Sequence, residues 1–211
     1  SCIPDWIDDT YFNINYKNYK AEVSKLYNYP NKTIISFSGN IGALQNPIIF
    51  IDLMDLFKKK GLNNFIFLFF GDGIMLPELK ELVITKKLDN VKFIGREKRE
   101  FIPAIMRQSD ILITNYISDE HLNLYIPGKL FEYAISRKPI VIGSRGDSKQ
   151  FIEKYDLGLV VPPSNKNAFM DAIIKISNGS YKYNPKTTQF IQDYSIGNIA
   201  VKYNKIFTKI T

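Results

Sequence analysis

The segment Phe65-Ile66-Phe67-Leu68-Phe69-Phe70, which runs directly into Gly71-Asp72-Gly73, determines the fold that we predict. It is the longest apolar run of the chain, yet it is far shorter than the roughly 20 residues that cross a bilayer. Its side chains do not alternate between apolar and polar, so both faces of the strand that they form must be buried. Strands of this kind lie inside parallel sheets that helices cover on both sides. The run therefore predicts a central strand of a parallel α/β sheet.

Five further apolar runs resemble the first, and stretches with helical spacing separate them. The predicted strands cover residues 33–37, 65–70, 91–94, 111–114, 139–142 and 157–161, and the predicted helices cover residues 47–60, 76–87, 99–108, 128–137, 147–155 and 166–177. Six β-α repeats with short links predict a Rossmann-like, doubly wound α/β sheet of about six parallel strands with helices on both faces. In such a sheet the ligand binds beyond the carboxyl ends of the strands.

The composition of the 211 residues narrows the chemistry. Cys2 is the only cysteine and His121 the only histidine, which argues against a disulfide framework, a zinc cluster and a Ser-His-Asp triad. The 28 lysines and arginines against 21 acidic residues give a net charge of +7, which suits a nucleic acid, an anionic membrane or a phosphorylated ligand. No block of five or more like charges occurs, so we expect no nucleic-acid partner. No leader pattern opens the sequence, and we expect a soluble, unexported, cytoplasmic protein.

Three of the predicted strands end in glycine turns: Ser38-Gly39-Asn40-Ile41-Gly42, Gly71-Asp72-Gly73 and Gly95-Arg96. Glycine lets the backbone approach a ligand closely, and the amides at the start of the following helix suit an anion. Turns between strands and helices favour glycine anyway, but three in succession indicate a phosphate or diphosphate site. Neither the dinucleotide fingerprint G-x-G-x-x-G nor a P-loop is present.

The segment 125–134, Tyr-Ile-Pro-Gly-Lys-Leu-Phe-Glu-Tyr-Ala, is the most informative part of the sequence. Pro127 and Gly128 mark the start of a helix, whose first amides lack intrahelical acceptors. Lys129 falls in the first turn, where the helix dipole disfavours a cation; either an anionic ligand lies nearby or the lysine is a solvated surface residue. Glu132 follows among apolar neighbours and needs a partner, either ligand hydroxyls or an ion pair on the helix face.

The run Ile-Pro-Gly-Lys-Leu-Phe-Glu-Tyr at 126–133, with Lys-Pro-Ile-Val at 138–141, resembles the donor-binding signature of bacterial glycosyltransferases of family 4, the group 1 transferases with the GT-B fold. Further matches follow in order along nearly the whole chain: Ile3-Pro4-Asp5-Trp6-Ile7-Asp8, segment 38–42, Phe70-Gly71-Asp72-Gly73, Phe93-Ile94-Gly95, Ser109-Asp110-Ile111 and Gly158-Leu159-Val160-Val161-Pro162-Pro163. The resemblance implies the carboxy-terminal, donor-binding half of a two-domain enzyme, with the amino-terminal acceptor domain missing from these 211 residues.

The resemblance also implies how a nucleoside-diphosphate sugar binds. Glu132 matches the glutamate that binds the ribose hydroxyls, the base lies along the turn at 94–96, and the diphosphate meets the helix start and the glycine loop. The expected donor-binding residues are Gly39, Asn40, Gly42, Gly71, Asp72, Gly95, Arg96, Pro127, Gly128, Lys129, Leu130 and Glu132. Fixed dipoles and charge then stabilise the departing nucleoside diphosphate without a metal or another cofactor. No catalytic residue is assigned.

The chain departs from the family pattern at two places. Many members carry a first glutamate that contacts the donor sugar, with seven residues between it and the second, and Leu124 stands at that position here. Asp119 or Glu120 in the same loop could replace it, or could simply solvate the loop. The basic residue that usually follows the glycine loop is absent from residues 43–46. Other cations must then carry more of the diphosphate charge: Lys129, Arg96 or Arg145.

We expect three parts in the chain: residues 1–30 as the interdomain linker and first helix, residues 31–178 as the nucleotide-sugar-binding domain, and residues 179–211 as a tail with a crossover helix. The last helix, expected over 196–210, follows a stretch at 178–193 with little apolar pattern. It carries Ile199, Tyr203, Ile206 and Phe207 on one face. In GT-B enzymes the final helix crosses back to the other domain, so we expect part of this face to be exposed. Because half of the cleft is missing, we expect the fragment to bind nucleotide but transfer no sugar.

The resemblance implies sugar transfer to a glycan or a lipid-linked acceptor in the synthesis of bacterial surface polysaccharide, capsular or O-antigen. Lysines at the ends of two helices could draw such an enzyme to the anionic inner membrane face, although capping helix dipoles is their simpler role: Lys58, Lys59, Lys60, Lys86 and Lys87. Two other classes stay open. A non-catalytic nucleotide-binding or regulatory module would share the fold but would not require Lys129 together with Glu132. Half of a sugar-nucleotide epimerase is disfavoured by the single histidine.

Overall fold

The computed structural model describes residues 6–208. The strands are β1 Thr33–Ser38, β2 Phe65–Phe70, β3 Val91–Gly95, β4 Ile111–Asn115, β5 Ile140–Gly143 and β6 Gly158–Val161. The helices are α1 Asp9–Val23, α2 Ile48–Lys59, α3 Leu76–Thr85, α4 Ile102–Gln108, α5 Gly128–Ile135, α6 Gly146–Lys154, α7 Lys166–Ser177, α8 Thr187–Tyr194 and α9 Ile196–Phe207. Strands and helices alternate from β1 to α7, as the apolar pattern predicts.

All six strands are parallel, and their order in the sheet is β3-β2-β1-β4-β5-β6. This is the Rossmann-like doubly wound arrangement that the sequence predicts. The chain builds outward in one direction from β1 to β3 and then returns to start again at β4 beside β1, where Ile35 lies opposite Ile111. Crevices that bind ligands form outside the carboxyl ends of the strands at such a reversal. The β1 and β4 ends therefore mark where a site should lie.

Aromatic side chains fill the core on both faces of the sheet. On one face Phe50 of α2 packs edge-on against Phe169 of α7, with ring centroids 5.6 Å apart, and both rings are fully buried. On the other face Phe131 of α5 packs against Phe151 of α6 at 5.1 Å. Burying each such side chain stabilises the fold by about 1.5–3 kcal/mol. All six residues of β2 are buried, which explains why its apolar run shows no alternation.

Most predicted boundaries hold to within one or two residues, and β2 and α7 match in full. β5 begins at Ile140 rather than at Pro139, because proline has no amide hydrogen to donate to the ladder. The helix predicted over 99–108 is split into a 3-10 turn, Arg99–Phe101, followed by α4. The stretch 178–193, in which no helix was predicted, contains all of α8 except its last residue, Tyr194.

The last helix, α9, packs at the edge of the domain through Ile199, which is 2% exposed. Tyr203 and Phe207, on the same predicted face, are 38% and 62% exposed. The prediction of a partly exposed apolar face is confirmed. Parts of the sequence-based interpretation, namely Cys2, the match at 3–5 and the end of the helix expected to reach 210, lie outside the described residues. No helix within residues 6–208 is long and apolar enough to cross a membrane.

Candidate functional site

The glycine turns after β1, β2 and β3 form one continuous backbone edge. The Gly39 amide donates to the Phe70 carbonyl at 2.9 Å, and the Gly71 amide donates to the Gly95 carbonyl at 2.7 Å. Gly71 has a φ of +132°, and a Cβ atom there would collide with the Gly39 carbonyl oxygen. Only glycine allows this close approach at position 71. The three turns thus lie side by side, as their succession in the sequence predicts.

Lys129 points from the first turn of α5 to the first of these turns. Its Nζ lies 4.2 Å from the centroid of the Phe37 ring and would be 2.9 Å from a Cβ atom placed on Gly39. Among the residues that the structure describes, this buried Nζ has no hydrogen-bond partner. Burial lowers the pKa of Lys129 to about 8, and the charge of Glu132 opposes that shift only in part. A buried ammonium without a partner is costly, which indicates an anion as its missing partner.

Tyr133 of α5 fixes this helix against the sheet. Its hydroxyl accepts a hydrogen bond from the Ser38 amide at 2.9 Å, in the interior between β1 and β4. Leu130, one turn earlier on the same helix, is fully buried in the core beneath it. These two side chains, which follow Lys129 on α5, are therefore anchored, and the Lys129 ammonium lies beside Gly39.

A pocket of about 330 Å³, here called the first pocket, lies in front of Lys129. Its lining residues are Ser38, Gly39, Asn40, Phe70, Gly71, Asp72, Arg96, Glu97, Ile102, Lys129 and Glu132. The Glu132 side chain keeps contact with solvent at its wall. Partial burial of the carboxyl raises the pKa of Glu132, while Arg99 and Lys129 oppose the shift. Glu132 therefore combines a nearby cation with free acceptor oxygens facing the cavity.

Glu132 also borders a second pocket, of about 290 Å³, which opens on the other side of its carboxyl group. The walls of this second pocket include the aromatic side chains of Trp6, Tyr11 and Phe12, together with Arg99. A flat aromatic lining with one guanidinium suits a planar ring or a sugar face. The two pockets together could hold an elongated ligand that runs past Glu132.

The first pocket brings together seven of the twelve residues expected from the sequence: Gly39, Asn40, Gly71, Asp72, Arg96, Lys129 and Glu132. Gly128 lines the second pocket. Four expected residues line neither of the two: Gly42, Gly95, Pro127 and Leu130. Leu130 has its side chain in the core and its amide bonded to the Pro127 carbonyl at 2.9 Å, so it packs the helix. Gly95 instead accepts the hydrogen bond from the neighbouring turn.

Four lining residues were not predicted as site residues: Ser38, Phe70, Glu97 and Ile102. Ser38 and Phe70 are the last residues of β1 and β2, so their position before a glycine turn was an available signal. Nothing in the sequence marks Glu97 or Ile102, which reach the pocket because α4 and the turn before it fold back beside β2.

The structure places two of the suggested substitute residues away from the first pocket. Arg145 precedes α6 and lines a separate cavity with Lys149 and Glu153. Asp119 caps the 3-10 turn that follows it, because its Oδ1 accepts the His121 amide at 2.8 Å. Leu124, at the position of the first family glutamate, is 79% exposed at the end of that turn. Of the cations suggested to carry the diphosphate charge, Arg96 and Lys129 are in the first pocket.

The family model for group 1 glycosyl transferases matches residues 19–193, which include both strands of the switch point and all of α5. The chain belongs to this family. Comparison with curated proteins gave no match.

Solved structures of glycosyltransferases share the fold of this family member. Anabaena Alr3699/HepE, in complex with UDP and glucose, superimposes with a TM-score of 0.81 at 14% identity over 99% of this chain and 56% of that one. A glycosyltransferase from Rickettsia africae ESF-5 superimposes with a TM-score of 0.80 at 17% identity over 99% of this chain and 56% of that one. Sucrose-phosphate synthase from Thermosynechococcus elongatus superimposes with a TM-score of 0.79 at 15% identity over 99% of this chain and 52% of that one. The chain thus spans about half the length of these proteins.

Proposed function

We propose that this chain is the donor-binding half of a group 1 glycosyltransferase of the bacterial family 4 type and that it holds a nucleoside-diphosphate sugar in the first pocket. The observation that carries the proposal is the buried Lys129 ammonium, which faces the glycine turns without a hydrogen-bond partner among the described residues. A diphosphate supplies the missing negative charge, and Arg96 on the opposite wall provides a second cation. HepE, whose structures contain UDP, UDP with glucose and UDP-glucose, supports the choice of a uridine nucleotide as first probe.

The same arrangement serves transfer chemistry. When the bond between the sugar and the diphosphate breaks, the departing diphosphate oxygen takes the electron pair and gains negative charge. Lys129, held by the packing of α5, stabilises that charge. The acceptor hydroxyl oxygen forms the new bond to the sugar carbon, and its proton passes to the departing diphosphate or to water. We propose that the diphosphate is neutralised by Lys129 and Arg96, with no metal or other cofactor required.

Glu132 is proposed to bind the ribose hydroxyls, because a carboxylate with free acceptor oxygens pairs with two adjacent hydroxyl donors. Glu132→Ala should then weaken UDP binding by about 1–3 kcal/mol, since the hydroxyls lose charged acceptors. The exposed Glu81→Ala on α3 serves as the control. An unchanged dissociation constant in calorimetry would remove Glu132 from the proposed site.

The remaining assignments complete the proposal. Residues 31–178 form the donor domain, residues 1–30 and 179–211 connect it to an acceptor domain, and the exposed face of α9 is part of that connection. The whole enzyme acts in the cytoplasm, at the inner membrane face, on a glycan or lipid-linked acceptor of surface polysaccharide. Because residues 1–211 carry only one wall of the cleft, they should bind UDP without transferring sugar; turnover by the isolated chain would contradict this.

The decisive experiment compares UDP binding to the wild-type chain and to Lys129→Met by isothermal calorimetry. Loss of a charge-assisted contact of this kind costs about 1.5–3 kcal/mol, so we expect the affinity to fall by about ten- to a hundredfold. Lys80→Met is the control, because Lys80 is an exposed lysine of α3 that lies outside the first pocket. Equal affinity for all three proteins, or no binding of UDP, ADP or GDP at all, would overturn the proposal.

A further inference from the structure

A second group of cations converges at the opposite end of α5 from Lys129. A pocket of about 410 Å³ is lined there by Asn13 and Tyr16 of α1, Arg107 of α4, and Ser136, Arg137 and Lys138 between α5 and β5. We call it the basic pocket. Because α5 has eight residues, the basic pocket and the first pocket lie about 12 Å apart along the helix axis. The family assignment and the donor site leave this pocket unexplained.

Arg107 is held in place by neutral groups. Its guanidinium donates to the Asn13 Oδ1 atom at 2.7 Å and lies 4.7 Å from the centroid of the Tyr16 ring and 5.1 Å from that of Phe12. These contacts fix the plane of the guanidinium and leave its charge in place. A planar guanidinium with donors to spare is suited to bidentate contact with phosphate oxygens.

Arg107 and Arg137 of the basic pocket repel each other. Burial lowers the pKa of Arg107, and the charge of Arg137 lowers it further. Burial likewise lowers the pKa of Lys138. Within residues 6–208, none of the three forms an ion pair with a carboxylate.

Two carboxylates act on these cations from a greater distance, Asp9 on Arg107 and Asp110 on Lys138. One oxygen of the Asp110 carboxyl group already has a hydrogen-bond partner, because Oδ2 accepts a hydrogen bond from the Ile34 amide at 2.8 Å. The dipoles at the carboxyl ends of α4 and α5 favour cations nearby by about 0.3–1 kcal/mol each. The dipoles do not explain why cations from both helix ends line one cavity.

We propose that the basic pocket binds a phosphate group, carried either by a soluble phosphorylated compound or by a lipid headgroup. Arg107 and Arg137 contact its oxygens, and the Lys138 ammonium lines the same pocket, whereas the Ser136 hydroxyl donates to the Tyr133 carbonyl. A dianionic phosphate relieves the repulsion between Arg107 and Arg137. This site is separate from the donor pocket and does not depend on the function proposed for it.

The test follows the backbone amide NMR signals of the 211-residue chain during titration with inorganic phosphate, with sodium chloride at equal ionic strength as reference. We expect saturable shifts at residues 136–138 that chloride does not produce. The double variant Arg137→Gln/Lys138→Gln, which leaves the stacked Arg107 in place, should weaken phosphate binding about tenfold or more. Removing the same charge from exposed residues by Lys80→Gln/Lys92→Gln should leave it unchanged.

Two further variants make the result specific. Lys129→Met should keep the shifts at 136–138, which separates the basic pocket from the first pocket. Arg107→Lys keeps the charge but removes the planar set of guanidinium donors. It should weaken binding less than the double variant does. Equal shifts with chloride, or undiminished binding by Arg137→Gln/Lys138→Gln, would overturn the proposal.

The source of the phosphate is decided by sedimentation with phosphatidylcholine vesicles that contain or lack phosphatidylglycerol. Phosphate binding together with phosphatidylglycerol-dependent sedimentation, both lost in the double variant, assigns a lipid headgroup. Phosphate binding without sedimentation assigns a soluble ligand. Vesicle binding that persists in the double variant contradicts a role for this pocket at membranes and leaves the phosphate titration as the deciding measurement.

Discussion

Lysines at two edges of the sheet, the one where the strands begin and the one where the strands end, are held in different ways. At the edge where the strands begin and α2 and α3 end, Lys59 and Lys86 form ion pairs with Asp55 at 2.7 and 3.7 Å. Lys58 donates to the backbone carbonyl of Lys87 at the end of α3. These pairings favour the dipole-capping role for this cluster over a free membrane-binding patch.

At the edge where the strands end, Lys129 is buried at the wrong end of a helix dipole, and its ammonium finds no hydrogen-bond partner among residues 6–208. The backbone beside it depends on glycine, because Gly39 and Gly71 both have a φ of +132°, which other residues rarely adopt. The lysines of α2 and α3 are paired within the protein, whereas Lys129 keeps a buried charge whose hydrogen-bond partner a ligand can supply. The predictions below test this difference.

The largest effect is expected from Gly71→Ala. The new Cβ atom would have to adopt an unfavourable φ and would collide with the Gly39 carbonyl oxygen, so we expect a loss of about 3 kcal/mol or more in the free energy of unfolding. Gly61→Ala is the control at the opposite edge: its φ is +71° and no atom lies within 4 Å of the added Cβ. That change should cost about 1 kcal/mol. Urea unfolding measures both, and similar losses would argue against the difference between the edges.

Lys129→Met should stabilise the chain at pH 7. Removing a buried ammonium without a partner relieves about 1–3 kcal/mol of desolvation cost, which corresponds to roughly 2–4 °C in Tm for each kcal/mol. Lys86→Met, which removes a paired lysine, should instead be neutral or destabilise by up to about 1 kcal/mol. Thermal unfolding of the two variants beside the wild type provides the comparison. A lower Tm for Lys129→Met would mean that its ammonium stabilises the unliganded fold.

The stabilisation by Lys129→Met should also depend on pH. The pKa of Lys129 is lowered from 10.5 to about 8 in the folded chain, so the unfolded chain binds more protons between these values. The stability of the wild type relative to Lys129→Met should therefore rise as the pH increases from about 8 toward 10.5 and stay constant below 8. Chemical unfolding of both proteins across this range measures the difference. A difference that does not change with pH would contradict a buried, titrating Lys129.

The smallest effect is expected from Asp55→Asn at the paired edge. The hydrogen bond and charge of Lys59 lower the pKa of Asp55, so its contribution to stability is present above the ordinary carboxyl pKa and is lost as the pH falls through the lowered one. Because the pair is at the surface, the substitution should cost about 0.2–1 kcal/mol at neutral pH and less in high salt. A loss as large as that of Gly71→Ala would show that this edge depends on its ion pairs far more than we infer.

The sequence predicted the strands, the glycine turns and Lys129 because each follows from a local rule. An apolar run without alternation, a glycine after a strand and a cation after Pro-Gly are visible within a few neighbouring residues. The fold then brings the turns together, since parallel strands end at one edge. The family signature at 126–133 includes Gly128, Lys129 and Glu132, which line the two pockets.

Features that depend on partners far apart in the chain were not predicted. The sequence did not predict α8, because its main anchors are contacts with distant residues. Phe190 packs edge-on at 5.7 Å from Phe151, and Asp193 accepts a hydrogen bond from the Tyr155 hydroxyl. The remaining residues of α8 are mostly polar. Leu130 was included in the site because it stands beside Lys129 in the sequence, although adjacent helical residues face in different directions. Only the three-dimensional arrangement separates the core residue from the pocket residue.

The lining of the first pocket has a consequence for how fast a ligand arrives. Against the two cations Arg96 and Lys129 it sets three carboxylates, those of Asp72, Glu97 and Glu132. The lining residues alone therefore supply no excess of positive charge to steer an approaching dianion into the pocket. The association rate constant should accordingly be low for oppositely charged partners and change little with ionic strength. The affinity is then set mainly by the dissociation rate constant once the phosphates reach the buried ammonium.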